Sequence, residues 1–403
     1  MTTISRRAAL AGLLGSALLP RNAMSAGKYS TGATDGRILL GQPIAYSGPA
    51  SAYGSIGKVH LAYFKMLNEK GGIRGRKIEI ISADDGYNPT RTVQVVRRMV
   101  EEDQVFAIFG IAGTAQNLAV QKYLASKQVP QLFCYSGSPR LIDTDESAWS
   151  TGWLPATELE GEIYGKYVAE NIKDPKVGIL YQNDDYGKDM MKGFRRGLGE
   201  QADKAIIRAA SYEVTDPTVE PQVLDLLSAG ANTFLGCMTS KAASQAIRKT
   251  AEIAWPGERI IPFASASIGA VLKPAGLDAA KGLVTSRFLK DASEAKWQSD
   301  AGIVEFLSFL KTYEPSVDPN DLLVVLGYCV SQTMAIVLEK CGDDLTRENI
   351  VRQAVNLTNV PLPLLLPGVT LNTTPTSRSP IRTLQMARFD GASWSLFGQP
   401  LSR

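Results

Sequence analysis

From residue 37 onward, short apolar runs alternate with segments of helical spacing. "RILLGQPIA", "KIEIISA", "VFAIFG" and "QLFCY" are short and rich in β-branched and aromatic residues, and they read as strands. Between them, "SIGKVHLAYFKMLNEK", "TRTVQVVRRMVEED" and "AQNLAVQKYLASK" repeat their apolar positions every three to four residues, which predicts helices. Strand–helix alternation of this kind builds a parallel sheet with helices on both faces. The pattern breaks at "DTDESAWSTGWLPATELEGE" and then resumes. "KVGILY", "AIIRAASYEV", "ANTFLGC" and "RIIPFAS" are the next strands, and "GKDMMKGFRRGL", "VEPQVLDLLSAG" and "SKAASQAIRKTAEI" the next helices. Two α/β lobes of similar size are therefore expected. A further strand, "GLVTSRFL", leads to helices in "SDAGIVEFLSFLKTY", "DLLVVLGYCVSQTMAIVLEK" and "TRENIVRQAV", the last with Thr346 as its N-cap. Beyond the Pro-rich "NVPLPLLLPG", the runs "RTLQMARFD" and "SWSLFG" flank "DGA" and predict a hairpin.

The first 26 residues stand outside this pattern. Arg6 and Arg7 precede the apolar stretch Ala8–Leu19, and "AMSA" supplies small residues, the layout of a secretory signal with a twin-arginine-like opening. Twelve apolar residues fall short of the roughly 20 that span a bilayer. Cleavage near Ser25 or Ala26 and a periplasmic location are expected. The first cysteine is Cys134, too far on for lipid attachment at the cleavage point.

Composition removes several classes of function. With 44% hydrophobic and 21% charged residues, the 403-residue chain is an ordinary globular protein. Its formal charge of +3 equals the three arginines of the leader, so the remainder is near neutral and has no basic field for nucleic acid. Cys134, Cys237, Cys329 and Cys341 show no C-x-x-C spacing, and most read as buried free thiols. His60 is the sole histidine and sits inside a helical pattern, which leaves no material for a zinc site or a Ser-His-Asp arrangement. There is no G-K-[ST] and no G-x-S-x-G. "GLGEQA" at 197–202 ends a helix instead of leaving a strand, so it is not a dinucleotide loop. The doublets Asp84-Asp85 and Asp184-Asp185 follow strands, where Asp caps helices and bonds turns. No enzyme activity and no cofactor are expected.

What remains is a set of small, neutral loops at strand ends: "AYSGP", "GIAGTAQ" and "CYSGSP". In open parallel sheets, ligands bind beyond the carboxyl ends of strands. Ser47, Thr114 and Ser136 offer hydroxyls, and a helix N-terminus after such a loop favours an anion. For each hydroxyl, a cap or turn is the competing structural role.

"GQPIAYSGPASAYG", "NEKGGIRGRKIEIISADDGYNP", "LYQNDDYGKDMMKGF" and "AGANTFLGCMTSKAASQAIRKTAE" resemble the branched-chain amino-acid-binding family of periplasmic solute-binding proteins, in order and across roughly residues 37–400. The resemblance implies an α/β fold of two Rossmann-like lobes, the type I periplasmic binding protein fold, joined by three crossovers. These fall near Ser150–Trp153, Thr285–Phe288 and Val360–Leu364, giving lobe one as 37–150 plus 287–361 and lobe two as 151–286 plus 362–403. It also implies a monomer that captures a small carboxylate by hinge closure and delivers it to the membrane permease of an ABC importer. A ligand-sensing regulatory module on the same fold is the alternative. Lobe one would hold the carboxylate with Gly113, Thr114, Tyr135, Ser136 and Gly137, with Tyr46, Ser47 and Trp153 beside the cleft. Lobe two would add Tyr186, Thr239 and Ser267. The lobe-two acid that grips an amino group in such binders should fall in "PFASASIGA", which contains none. A carboxylate lacking an α-ammonium, such as an aromatic acid, is therefore expected to bind better than leucine or valine, unless Asp184, Asp185 or Glu158 takes the ammonium.

Overall fold

The computed structural model describes residues 27–143 and 147–402. The leader lies outside the described residues. The chain begins with the short strand β1 (Lys28–Tyr29) and then builds a five-stranded parallel sheet from β2 (Arg37–Ile44), β3 (Lys77–Asp84), β4 (Ala107–Phe109), β5 (Gln131–Cys134) and β6 (Ser150–Gly152). The strand order is β3-β2-β4-β5-β6. Helices α1 (Gly54–Glu69), α2 (Pro89–Glu101), α3 (Thr114–Ser126) and the short α4 (Pro139–Ile142) connect these strands. Their starts follow the sequence. Asn88 accepts from the backbone N–H of Thr90 and Arg91, and Pro89 occupies the first turn of α2, where its missing N–H costs nothing.

A second sheet follows, in the order β14-β13-β11-β10-β9-β7-β8. Its parallel part comprises β7 (Val177–Gln182), β8 (Ile206–Tyr212), β9 (Thr233–Cys237), β10 (Arg259–Ile260) and β11 (Val284–Arg287). Around it lie α5 (Thr157–Asn171), α6 (Asp185–Leu198), α7 (Ala202–Ala205), α8 (Glu220–Ser228), α9 (Ser240–Glu252), α10 (Lys273–Ala275) and α11 (Leu277–Ala280). β10 is shorter than "RIIPFAS" suggests. Pro262 cannot donate to a ladder, and Phe263–Ser265 turn into a 3-10 helix.

The chain then returns to the first sheet with α12 (Ala301–Tyr313), α13 (Leu322–Cys341), the small strand β12 (Asp344–Leu345) and α14 (Arg347–Ala354), and the terminal hairpin β13 (Thr383–Phe389) and β14 (Trp394–Ser402) closes the second sheet antiparallel to β11. Asp300, Asp321 and Thr346 cap α12, α13 and α14 through their side chains. α13 is predominantly apolar because it is the buried core helix beside α1.

The two lobes are joined by three passages of the chain, and these are bonded to one another. Leu366 N–H donates to Phe288 O at 2.9 Å and Lys290 N–H to Leu364 O at 2.8 Å, so the second and third passages run as a paired ribbon. Arg378 reaches back to the first, donating to the carbonyls of Ser147 and Ala148 at 2.7 Å.

α5 lies in the segment that showed no helical pattern. Its first half is buried on nearly every side, so no polar stripe marks it. Gly161 and Gly165 face α6, and Gly193 and Gly197 face α5. A Cβ at any of the four would collide with backbone of the other helix, so the two helices touch main chain to main chain. Glu158 seals the contact through Lys192 Nζ and Arg196 Nη1, each at 2.7 Å.

Candidate functional site

The parallel strands of both sheets point their carboxyl ends at one another, and a narrow cavity lies between them. The cavity volume is only about 40 Å³. The lobes are shut on it. Ser138 Oγ donates to Asp189 Oδ2 across the mouth at 2.6 Å, Arg140 pairs with Asp185 at 2.9 Å, and Lys273 with Asp318 at 2.9 Å. Burial pushes the Asp189 carboxyl up to about 6.

Lobe one contributes the loops after its strands. Gly113 takes φ 94°, which suits glycine alone, and turns the chain so that Thr114 opens α3. Thr114 Oγ1 and Ser136 Oγ lie 2.8 Å apart at that helix N-terminus, and Gly113, Tyr135 and Gly137 complete the wall. Tyr135 is fixed from behind. His60 Nε2 lies 2.8 Å from its hydroxyl, and Nδ1 of the same ring bonds Gln42. Burial depresses the His60 imidazole to about 3, so it is neutral. Lobe two adds Tyr186 from the first turn of α6 and Thr239 from the N-cap of α9. The hydroxyl of Tyr186 is buried and has no hydrogen-bond partner.

Four residues expected at the ligand are occupied elsewhere. Tyr46 bonds Ser82 Oγ at 2.7 Å, and its N–H, like that of Ser47, donates to Asp84 Oδ1. Ser47 Oγ donates to Asp84 Oδ2, so "AYSGP" is a turn nucleated by a carboxylate. These bonds hold the Asp84 carboxyl low, at about 2, against the opposing effect of burial. Trp153 is fully buried at the first passage between lobes, with Nε1 donating to Thr333 Oγ1 at 2.8 Å and its ring beside Phe288. Ser267 bridges the lobes, donating to Asp321 Oδ1 at 2.9 Å while accepting from Ala270 N–H.

Other lining residues carried no local signal in the sequence. Tyr53 and Tyr87 stack with centroids 5.5 Å apart and planes 12° from parallel. Tyr87 has φ 57°, an unfavourable backbone conformation for an aromatic residue. It is pinned there by Asp85 accepting from its N–H and by Gln116 donating to its carbonyl. Leu154, Phe263, Leu323 and Leu326 add apolar surface.

Glu160, on α5, brings a carboxylate to the cavity wall. It is buried, and all three of its bonds fall on Oε1, from Tyr164 Oη at 2.6 Å, Phe263 N at 2.8 Å and Ser286 Oγ at 2.8 Å. Burial pushes its carboxyl up to about 6, against the lowering effect of those donors. The acids weighed earlier are engaged elsewhere: Glu158 with Lys192 and Arg196, Asp185 with Arg140, and Asp184 as the cap of α6. Among the described residues lining the cavity there is no Lys, Arg or His.

Two lobes built on parallel strands, three linking passages and a small cavity shut between strand ends define a two-lobed clamp of the type I periplasmic binding protein fold. The chain belongs to the periplasmic binding protein family, whose model matches residues 38–393. It is 24% identical over 197 residues to Leu/Ile/Val-binding protein homolog 1 of Brucella abortus (strain 2308), an alignment covering 48% of this chain and 52% of that protein. The chain thus spans about half the length of the curated relatives it matches. Among solved structures, a branched-chain amino acid ABC transporter protein from Thermus thermophilus with bound valine superposes with a TM-score of 0.81 at 16% identity, covering 91% of this chain and 97% of that one. The fatty acid ABC transporter substrate-binding protein from Thermomonospora curvata superposes with a TM-score of 0.75 at 20% identity, covering 94% and 95%. These likenesses establish the fold.

Proposed function

We propose that this protein is the extracytoplasmic solute-binding component of an ABC importer and that its ligand is a small apolar or aromatic α-amino acid, enclosed as the zwitterion. The reading rests on one observation above the others: Glu160, the carboxylate of the cavity wall, collects three donors on Oε1 and leaves Oε2 without a protein partner. A buried carboxylate of this kind suits an ammonium, whose own burial unpaired costs several kcal/mol. The unpartnered Tyr186 hydroxyl adds an acceptor for the same group. The ligand carboxylate then faces the N-terminus of α3, with the hydroxyls of Thr114 and Ser136 as donors. Tyr53, Tyr87, Phe263 and Leu326 surround the side chain. Capture works by linkage, because the ligand touches both lobes only when they are shut. In this reading lobe one is 37–150 with 287–361, and the permease is the partner that receives the closed form.

The stacked Tyr53–Tyr87 pair favours a second reading, an aromatic acid without an ammonium, as the loop composition first suggested. Native mass spectrometry of freshly purified protein, followed by calorimetry with leucine, valine, phenylalanine and their counterparts lacking the amino group, separates the two. Amino acids are expected to bind and the amine-free acids to be weaker by at least tenfold. Tighter binding of the amine-free acids would overturn the amino-acid reading in favour of the second.

A further inference from the structure

The cavity carboxylate is held by a network that determines where on it a proton can sit. Ser286, on β11 at the second passage between lobes, donates its N–H to Tyr164 Oη at 3.0 Å. Tyr164 Oη lies 2.6 Å from Glu160 Oε1, its shorter contact, and 3.0 Å from Ser286 Oγ, which in turn donates to the same Oε1 at 2.8 Å. Phe263 N–H is the third donor to Oε1. With two hydroxyls and one amide N–H gathered at Oε1 and no donor at Oε2, the arrangement directs a proton on this carboxyl to Oε2.

The geometry assigns Tyr164 and Ser286 as positioning residues that keep Glu160 Oε1 saturated, so that a proton and the ammonium of the ligand compete for the single oxygen Oε2. The inference rests on the amino-acid reading for the identity of the cation, but not for the holding of Oε1 by its donors. The groups that face Glu160 are Tyr164 on its own helix, Tyr186 on α6 and Cys237 at the end of β9. Burial pushes those hydroxyls and that thiol upward, so they stay neutral in the range where Glu160 titrates. Because Ser286 belongs to the strand that enters the second passage, the charge state of Glu160 is tied directly to the hinge region.

Removing a donor to the ionised form favours the protonated one. Carbon-detected NMR titration of the Glu160 carboxyl, in the unliganded full chain, is the test. In Tyr164→Phe and in Ser286→Ala the midpoint is expected to rise by about one pH unit, the equivalent of one hydrogen bond to a charged group. Ser286→Thr keeps the hydroxyl and should retain the wild-type midpoint. In parallel, the acid limb of leucine binding should move upward by the same amount in both donor-removed variants, which a merely structural role does not produce. Should Tyr164→Phe fail to fold, Ser286→Ala carries the test alone. An unchanged Glu160 midpoint in a natively folded Ser286→Ala variant would overturn the assignment. Absence of leucine, valine and phenylalanine binding in the wild type, with the midpoint still displaced in the variants, would overturn the amino-acid reading and leave the assignment standing.

Discussion

If Glu160 must be ionised to hold an ammonium, ligand affinity depends on pH in a range where free amino acids do not change charge. The carboxyl lies at about 6 in the shut cavity, because burial opposes its ionisation. At pH 7 about nine-tenths of the protein then carries the ionised form, and at pH 5 about one-tenth. Affinity should therefore fall about tenfold from pH 7 to pH 5, or about 1.4 kcal/mol. At pH 5 close to one proton is released per ligand bound. Calorimetry in two pH 5 buffers of different ionisation enthalpy measures that proton directly. Folding stability responds with the opposite sign. The folded-state value lies above the ordinary 4.5, so the folded chain holds the proton more tightly than the unfolded chain does. Glu160 thus favours folding below about 4.5, and that contribution, on the order of 2 kcal/mol, is lost as pH rises through about 6. Glu160→Gln should abolish both effects: its leucine affinity should be weak and flat from pH 5 to 7, and its melting temperature less dependent on pH in that window. An affinity for leucine that holds constant or rises on acidification in the wild type would refute the reasoning.

Three further outcomes follow from the geometry. Thr114→Ala and Ser136→Ala should each weaken ligand binding by about 1 kcal/mol, roughly fivefold, by calorimetry. Trp153→Phe removes the bond to Thr333 and should lower stability by about 1 kcal/mol in denaturant titration while leaving affinity within twofold, since the ring is buried at the hinge and away from the cavity lining. Gly193→Ala drives a Cβ into the Glu158 carbonyl and should cost about 1–3 kcal/mol or more, seen as a melting temperature lower by several degrees, because neither helix backbone can retreat without moving Glu160.

The alternation of strands and helices was legible because central strands such as β4, β5 and β9 are buried along their whole length and helices such as α2, α6 and α9 bury one face. The caps of α12, α13 and α14 were equally local, since each uses a side chain a few residues from the N–H it satisfies. α5 was not legible. A helix buried on most sides, with glycines at its closest contact, has neither the periodicity nor the composition of an amphipathic helix. That helix carries Glu160, whereas the resemblance placed the lobe-two acid in "PFASASIGA", which contains none. Tyr53 and Tyr87 escaped notice for another reason. Each is a single aromatic residue in a polar loop, and only the return of α1 and the pinned backbone at Tyr87 bring the rings together. Ser47 and Ser267 show the converse. A hydroxyl in a Gly-rich loop has the same local sequence whether it faces a ligand, nucleates a turn or bridges two lobes, and here the partners Asp84 and Asp321 lie far away in the chain.

The four cysteines have a practical consequence for handling the protein. All are free and buried, and burial raises every thiol, so the folded protein should ignore mild oxidants and alkylating reagents. The unfolded chain has no such protection. Four exposed thiols can close into three different complete pairings, and none of them corresponds to the folded arrangement. Refolding under air should therefore trap cross-linked, inactive material, whereas refolding under reductant should recover the native clamp. A chain of this kind is best served by folding before it meets an oxidising environment.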